Sequence, residues 1–122
     1  MDKKFRQDTL LMHGGQKGHN PDKALNPPIF QTSTYVFDNL EDVRKAMNFE
    51  TDDYVYTRGN NPTLRLFENK MAVLEEGKSS VAFASGMAAI SSVLLSLLNP
   101  GDKVIGNKTL YGSTYTVMTK LL

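Results

Sequence analysis

Apolar positions fall into two regimes along the chain. After Asn61 they are periodic: Leu64, Phe67, Met71 and Leu74 share one helical face. Asn61 is placed to cap that helix, Pro62 takes its first position and Gly77 marks its stop. A strand-like run, "SVAFA", comes next, then a helix from about Gly86 to Leu98 that ends at Asn99-Pro100-Gly101. A second strand, "KVIG", leads into "GSTYTVMTKLL", which opens another helix. Strand, helix, strand, helix predicts an α/β fold with a βαβ unit, a parallel sheet and a right-handed crossover. Two strands are too few for a stable open sheet, so the unit is expected to be incomplete, the truncated start of a larger domain.

Residues 1–60 follow no such period. Gly14, Gly15, Gly18, Asn20, Pro21, Asn26, Pro27 and Pro28 interrupt the segment, and the Pro-Pro pair imposes an extended backbone. "IFQTSTYVF" is β-prone and aromatic. One short helix is predicted from Asn39, with Leu40, Val43 and Met47 at i, i+3 and i+7. Such a segment does not make its own core. It is expected to be an arm that packs on the rest of its chain or on another subunit.

Composition narrows the function classes. Fourteen Lys plus Arg oppose thirteen Asp plus Glu in 122 residues, with no like-charge run, so neither nucleic acid nor an acidic membrane surface is indicated. The absence of cysteine removes disulfides, zinc ribbons and thiol catalysis. No signal-peptide core is present at the N-terminus, and "VLLSLL" is far short of the ~20 residues of a membrane span. A soluble, cytoplasmic protein is expected. His13 and His19 lie six apart among glycines with no carboxylate cluster near them, so no metal site is assigned.

Three clusters carry candidate chemistry. Ser85-Gly86-Met87 stands at the carboxyl end of the first expected strand and at the start of a helix, where free N–H groups and the helix dipole favour an anion. Gly86 admits close approach to the backbone, and the Ser85 hydroxyl can cap the helix or donate to a phosphate. Simple capping with close helix packing explains the same residues. "NKTLYGS" leaves the second expected strand at the same edge, which places Tyr111 near the first loop as a ring for stacking or a phenol for proton transfer, or merely as a half-buried tyrosine. In "YVYTRGNNPT", Arg58 occupies a polar loop that cannot bury it; guanidinium suits a bidentate grip on phosphate or carboxylate, although a solvated arginine is the plainer reading. Tyr54 and Tyr56 alternate on an extended backbone, so both rings are expected on one face.

Together these segments resemble the fold-type I, pyridoxal phosphate-dependent enzymes of cysteine and methionine metabolism. The resemblance is carried by "DTLLMHGG", "NPPIFQTSTYVF", "YVYTRGNNPTLRLFENKMAVLEEG", "AFASGMAAI", "LLNPGDKVI" and "LYGSTY", in that order. It implies pyridoxal 5′-phosphate as cofactor. It also implies an N-terminal arm (1–60) contacting a neighbouring subunit, and the start of a cofactor-binding domain with a mixed, mainly parallel sheet (61–122). By that resemblance Ser85, Gly86 and Met87 cradle the phosphate. Tyr111 stacks on the pyridine ring and takes part in proton transfer, so it is the one catalytic residue assigned. Tyr56 and Arg58 reach the phosphate of the neighbouring subunit's cofactor. A homotetramer, built as a dimer of dimers with shared active sites, is implied, acting on a sulfur-containing amino acid by elimination or replacement at the γ-carbon.

The same resemblance expects a lysine that anchors the cofactor, and none of the lysines here sits in the matching motif; Lys120, late in a helix, is no substitute. The segment is therefore expected to be an N-terminal portion that is inactive alone, most like methionine γ-lyase. Ser113 stands where methionine γ-lyases usually have cysteine, which leaves the particular reaction open. The competing reading is a non-catalytic module that binds a phosphate-bearing ligand or serves assembly. A nucleotide-binding Rossmann domain is excluded, because no G-x-G-x-x-G follows either expected strand and Asp102 precedes the second one.

Overall fold

The structure, a computed structural model, describes residues 5–16 and 23–121. His19 and the Gly18, Asn20 and Pro21 interruptions lie outside those residues. Two compact units make up the chain, Met1–Val81 and Ala82–Leu122. The first contains α1 (Gln7–His13), α2 (Leu40–Met47) and α3 (Pro62–Leu74). The second contains α4 (Gly86–Leu97) and α5 (Gly112–Thr116), which runs on as a π-helical turn over Val117–Leu121.

Three helices begin where their caps predict. Asn39 Oδ1 accepts from Asp42 N at 2.9 Å and its Nδ2 donates to the Asp42 carboxylate at 2.8 Å, a reciprocal cap on α2. Arg44 then grips Glu41 through two bonds, which holds the Glu41 carboxyl below the usual carboxylate range. Asn61 accepts from Thr63 N ahead of Pro62, and Ser85 Oγ accepts from Ala88 N at 3.1 Å at the start of α4.

α1 has no counterpart among the expected elements; its three apolar residues, Leu10 to Met12, are too short a run to show a period. It ends at Gly14-Gly15, and both glycines have a steric reason. A Cβ on Gly14 would meet Leu10 O at 2.5 Å, and Gly15 (φ +73°) lies so near α3 that a Cβ would meet Lys70 N at 2.6 Å. Lys70 Nζ donates to Leu11 O at 2.9 Å, closing the contact between α1 and α3. Phe30 is likewise bonded to the start of α3, through Thr63 and Asn61.

The expected strands run extended but unpaired. Among the described residues the sole β-pairing is an antiparallel bridge between Thr34 and Tyr56, supported by Thr57 N to Ser33 O at 2.8 Å and Tyr35 N to Val55 O at 3.3 Å. No ladder joins residues 80–84 to 103–106, so the βαβ sheet is not formed within these residues. Two short parallel strands give too few hydrogen bonds and too little covered area to hold together without further strands. Their apolar faces stay open, with Ile105 99% exposed.

Stop signals differ from expectation. Gly77 does not supply the left-handed residue after α3; Glu76 does (φ +53°), while Gly77 N bonds Ala72 O at 2.8 Å. After α2 the left-handed position is Phe49 (φ +58°), 94% exposed, with Glu50 N bonded to Lys45 O at 2.9 Å. A bulky side chain there is strained, whereas glycine is not. Phe49→Gly is expected to raise the unfolding free energy by about 1 kcal/mol. Urea denaturation of the two proteins checks this, and a less stable variant would refute the strain assignment.

The buried apolar core of the described residues is small, comprising Ala46 and Ala72. α4 buries no residue, and its Val93, Leu95 and Leu97 stand exposed.

Candidate functional site

Arg58 sits in a turn that the backbone closes on itself. Gly59 N and Asn60 N both donate to Tyr56 O, at 2.9 and 3.1 Å, directly after the bridge that fixes Tyr56 against Thr34. The guanidinium carbon lies 4.8 Å from the centroid of the Tyr56 ring, so the ring carries the cation on its face and leaves the fork open. Tyr54 makes a different ring contact. Its ring pairs with Tyr35 at 5.6 Å between centroids, and burial pushes its phenol above the ordinary range, with Arg65 opposing. A cavity of about 790 Å³, wholly within the first unit, opens beside Tyr56 and Arg58 and is also lined by Met47, Phe49, Val55 and Arg65.

In the second unit, the start of α4 has the features of an anion cradle. Ser85 is extended (φ −153°, ψ 155°), and its hydroxyl oxygen is engaged by Ala88 N, which leaves its O–H as a donor. The N–H groups of Gly86 and Met87 have no partner among the described residues. Gly86 has no positive φ, and a Cβ built on it meets nothing within 4 Å. Neither backbone conformation nor packing inside this chain requires glycine there. The open space at Gly86 and the free N–H groups of Gly86 and Met87 fit a bound phosphate.

α5 packs on α4. Thr114, buried to 9% exposure, donates to Met87 Sδ at 3.6 Å, which fastens the Met87 side chain inward while its N–H stays free. Tyr111 caps α5 through its backbone and is 69% exposed, with its ring standing clear. Ser113, in the first turn of α5, is exposed. The first turns of α4 and α5 therefore bring Ser85, Gly86, Met87 and Tyr111 into one region of the second unit, whereas Tyr56 and Arg58 belong to the first. Among the described residues no group of three or more His, Cys, Asp or Glu is placed to hold a metal ion, and no helix is long and apolar enough to cross a membrane.

The backbone closely matches that of a protein described as an O-acetylhomoserine (thiol)-lyase from Campylobacter jejuni, whose structure contains N′-pyridoxyl-lysine-5′-monophosphate. The TM-score is 0.84 at 31% identity, over 96% of this chain and 29% of that one. This defines the class, the first part of a fold-type I, pyridoxal phosphate-dependent protein, and supplies the α/β setting that the two unpaired strands do not make alone. Within that class the chain belongs to the Cys/Met metabolism PLP-dependent enzymes, whose family model matches residues 8–122. It is 46% identical over 116 residues to an L-methionine gamma-lyase of Fusobacterium nucleatum, covering 95% of this chain and 29% of the relative. It is 38% identical over 110 residues to an O-acetyl-L-homoserine sulfhydrylase of Corynebacterium glutamicum, covering 90% of this chain and 25% of the relative. The chain thus spans under a third of the length of these relatives.

Proposed function

We propose that this chain is the N-terminal part of a cytoplasmic, pyridoxal phosphate-dependent enzyme that eliminates or replaces the γ-substituent of a sulfur-containing amino acid, with methionine γ-lyase the nearest activity. The observation that carries the reading is Gly86, a glycine with no structural need at the head of α4, set beside two unpartnered N–H groups. The relatives named gamma-lyase support the choice of reaction. Bound at this site, the cofactor supplies an electron sink for the carbanion left when the substrate loses its α-proton.

The residues of the chain divide the remaining work. Gly86 and Met87 donate main-chain N–H groups to the phosphate, and the Ser85 hydroxyl adds a third donor. The Tyr111 ring stacks on the pyridine, and its phenol holds a proton where the leaving group departs. Tyr56 and Arg58, on the arm of residues 1–60, serve the phosphate of a neighbouring subunit in a dimer of dimers, while residues 61–122 begin the cofactor domain. The anchoring lysine belongs to the portion of the relatives that the chain does not span.

Two measurements test this. The full-length protein should develop a yellow band with pyridoxal 5′-phosphate, fixed covalently by borohydride; no band means a phosphate-binding module without catalysis. Tyr111→Phe should retain cofactor affinity and lose roughly 10²–10⁴-fold in turnover, the usual worth of a positioned acid or base. Full turnover in that variant would leave the ring with stacking alone.

A further inference from the structure

We infer that Asn61 is a positioning residue for the Arg58 clamp, acting through its side-chain amide and not only as a helix cap. Asn61 is 4% exposed and every polar function of its side chain is engaged. Its Oδ1 accepts from Thr63 N at 2.8 Å, the capping bond. Its two amide hydrogens leave the helix altogether: Nδ2 donates to Phe30 O at 3.2 Å and to Thr57 Oγ1 at 3.0 Å. Thr57 passes the connection on, donating its hydroxyl to Thr32 O and its N–H to Ser33 O. Thr63 Oγ1 completes the set by accepting from Phe30 N at 2.9 Å.

Arg58 lies between the two tied points, one residue after Thr57 and three before Asn61. Serine or aspartate caps a helix as well as asparagine does. Asparagine alone among good caps adds the pair of N–H donors that holds the loop to the segment at 30–34. The residue type is thus explained by the strap as well as by the cap. This inference rests on the reading of Arg58 as a phosphate-holding group.

The test is a double-mutant cycle in the full-length apo-protein, titrated with pyridoxal 5′-phosphate and with pyridoxal, which lacks the phosphate. The quantity read is the ratio of the two affinities. Asn61→Asp keeps the cap and removes both donors, and Thr57→Val cuts the same strap from its other side should the first variant fold poorly. Each is expected to lower the ratio about tenfold, a modest hydrogen-bonding loss. Combined with Arg58→Ala, neither should lower it beyond Arg58→Ala alone, because the strap acts through Arg58; a merely structural role gives additive losses. Strap variants with an unchanged ratio, or additive losses, overturn the inference while a loss in Arg58→Ala keeps the phosphate reading. An unchanged ratio in Arg58→Ala overturns both.

Discussion

Arg58→Ala is expected to lower the affinity of the apo-protein for pyridoxal 5′-phosphate by roughly 10- to 100-fold, through loss of a charge-assisted bond worth about 1.5–3 kcal/mol. The turn that carries Arg58 is closed by backbone bonds from Gly59 and Asn60, neither of which involves the side chain. Within the chain the substitution removes the stack on Tyr56, which at an exposed site is worth only about 0.5–1 kcal/mol. Stability should therefore change little while affinity falls. Arg58→Lys returns the charge without the planar fork and should recover part of the loss. Titration by absorbance, set against thermal melts of the same samples, separates binding from folding. Unchanged affinity would remove Arg58 from the phosphate site and return it to the status of a solvated arginine.

Gly86→Ala is expected to move stability and affinity in opposite directions. In this chain the added methyl meets nothing within 4 Å, and φ at Gly86 is not positive. Replacing a glycine in a helix by alanine reduces the entropy lost on folding and should stabilise the protein by about 0.5–1 kcal/mol. At the turn proposed to hold the phosphate, the same methyl should weaken cofactor binding roughly 10- to 100-fold, in line with ~1–3 kcal/mol for overpacking. Denaturation of the apo-protein and cofactor titration read the two effects independently. Equal cofactor affinity in the variant would mean that no phosphate approaches this turn. Lower apo stability would instead reveal a packing partner for Gly86.

Local chemistry made much of the chain legible. Asn39, Asn61 and Ser85 all cap the helices that their positions predict, because capping depends on a side chain reaching two or three residues along. Elements that depend on distant partners were not legible. Gly14 and Gly15 read as interruptions, and only their closeness to Leu10 and Lys70 shows why each is glycine. "SVAFA" and "KVIG" have strand composition, but a strand is completed by neighbours, and none is present among the described residues. The left-handed residues Phe49 and Glu76 break the glycine rule on which sequence reading of helix ends relies. At the site, Ser85, Gly86, Met87, Tyr111 and Arg58 stood out by residue type and place. The amide hydrogens of Asn61 did not, because they point at residues 4 and 31 positions away while the capping oxygen accounts for the residue on its own.

The ties at Asn61 and Thr63 also set a clock on biosynthesis. Phe30 is bonded to Thr63 and Asn61 across 33 and 31 positions. A ribosome adding ~5–20 residues per second leaves Phe30 waiting roughly 2–7 s before these partners exist. During that interval Phe30 carries an unmatched backbone donor and acceptor, the condition in which extended segments pair with foreign chains. Partners for residues 33–35 exist once Val55, Tyr56 and Thr57 are made, and arrival of the Asn61-Pro62-Thr63 tripeptide then supplies both partners for Phe30 at once. For Phe30 that exposure ends only when the tripeptide emerges.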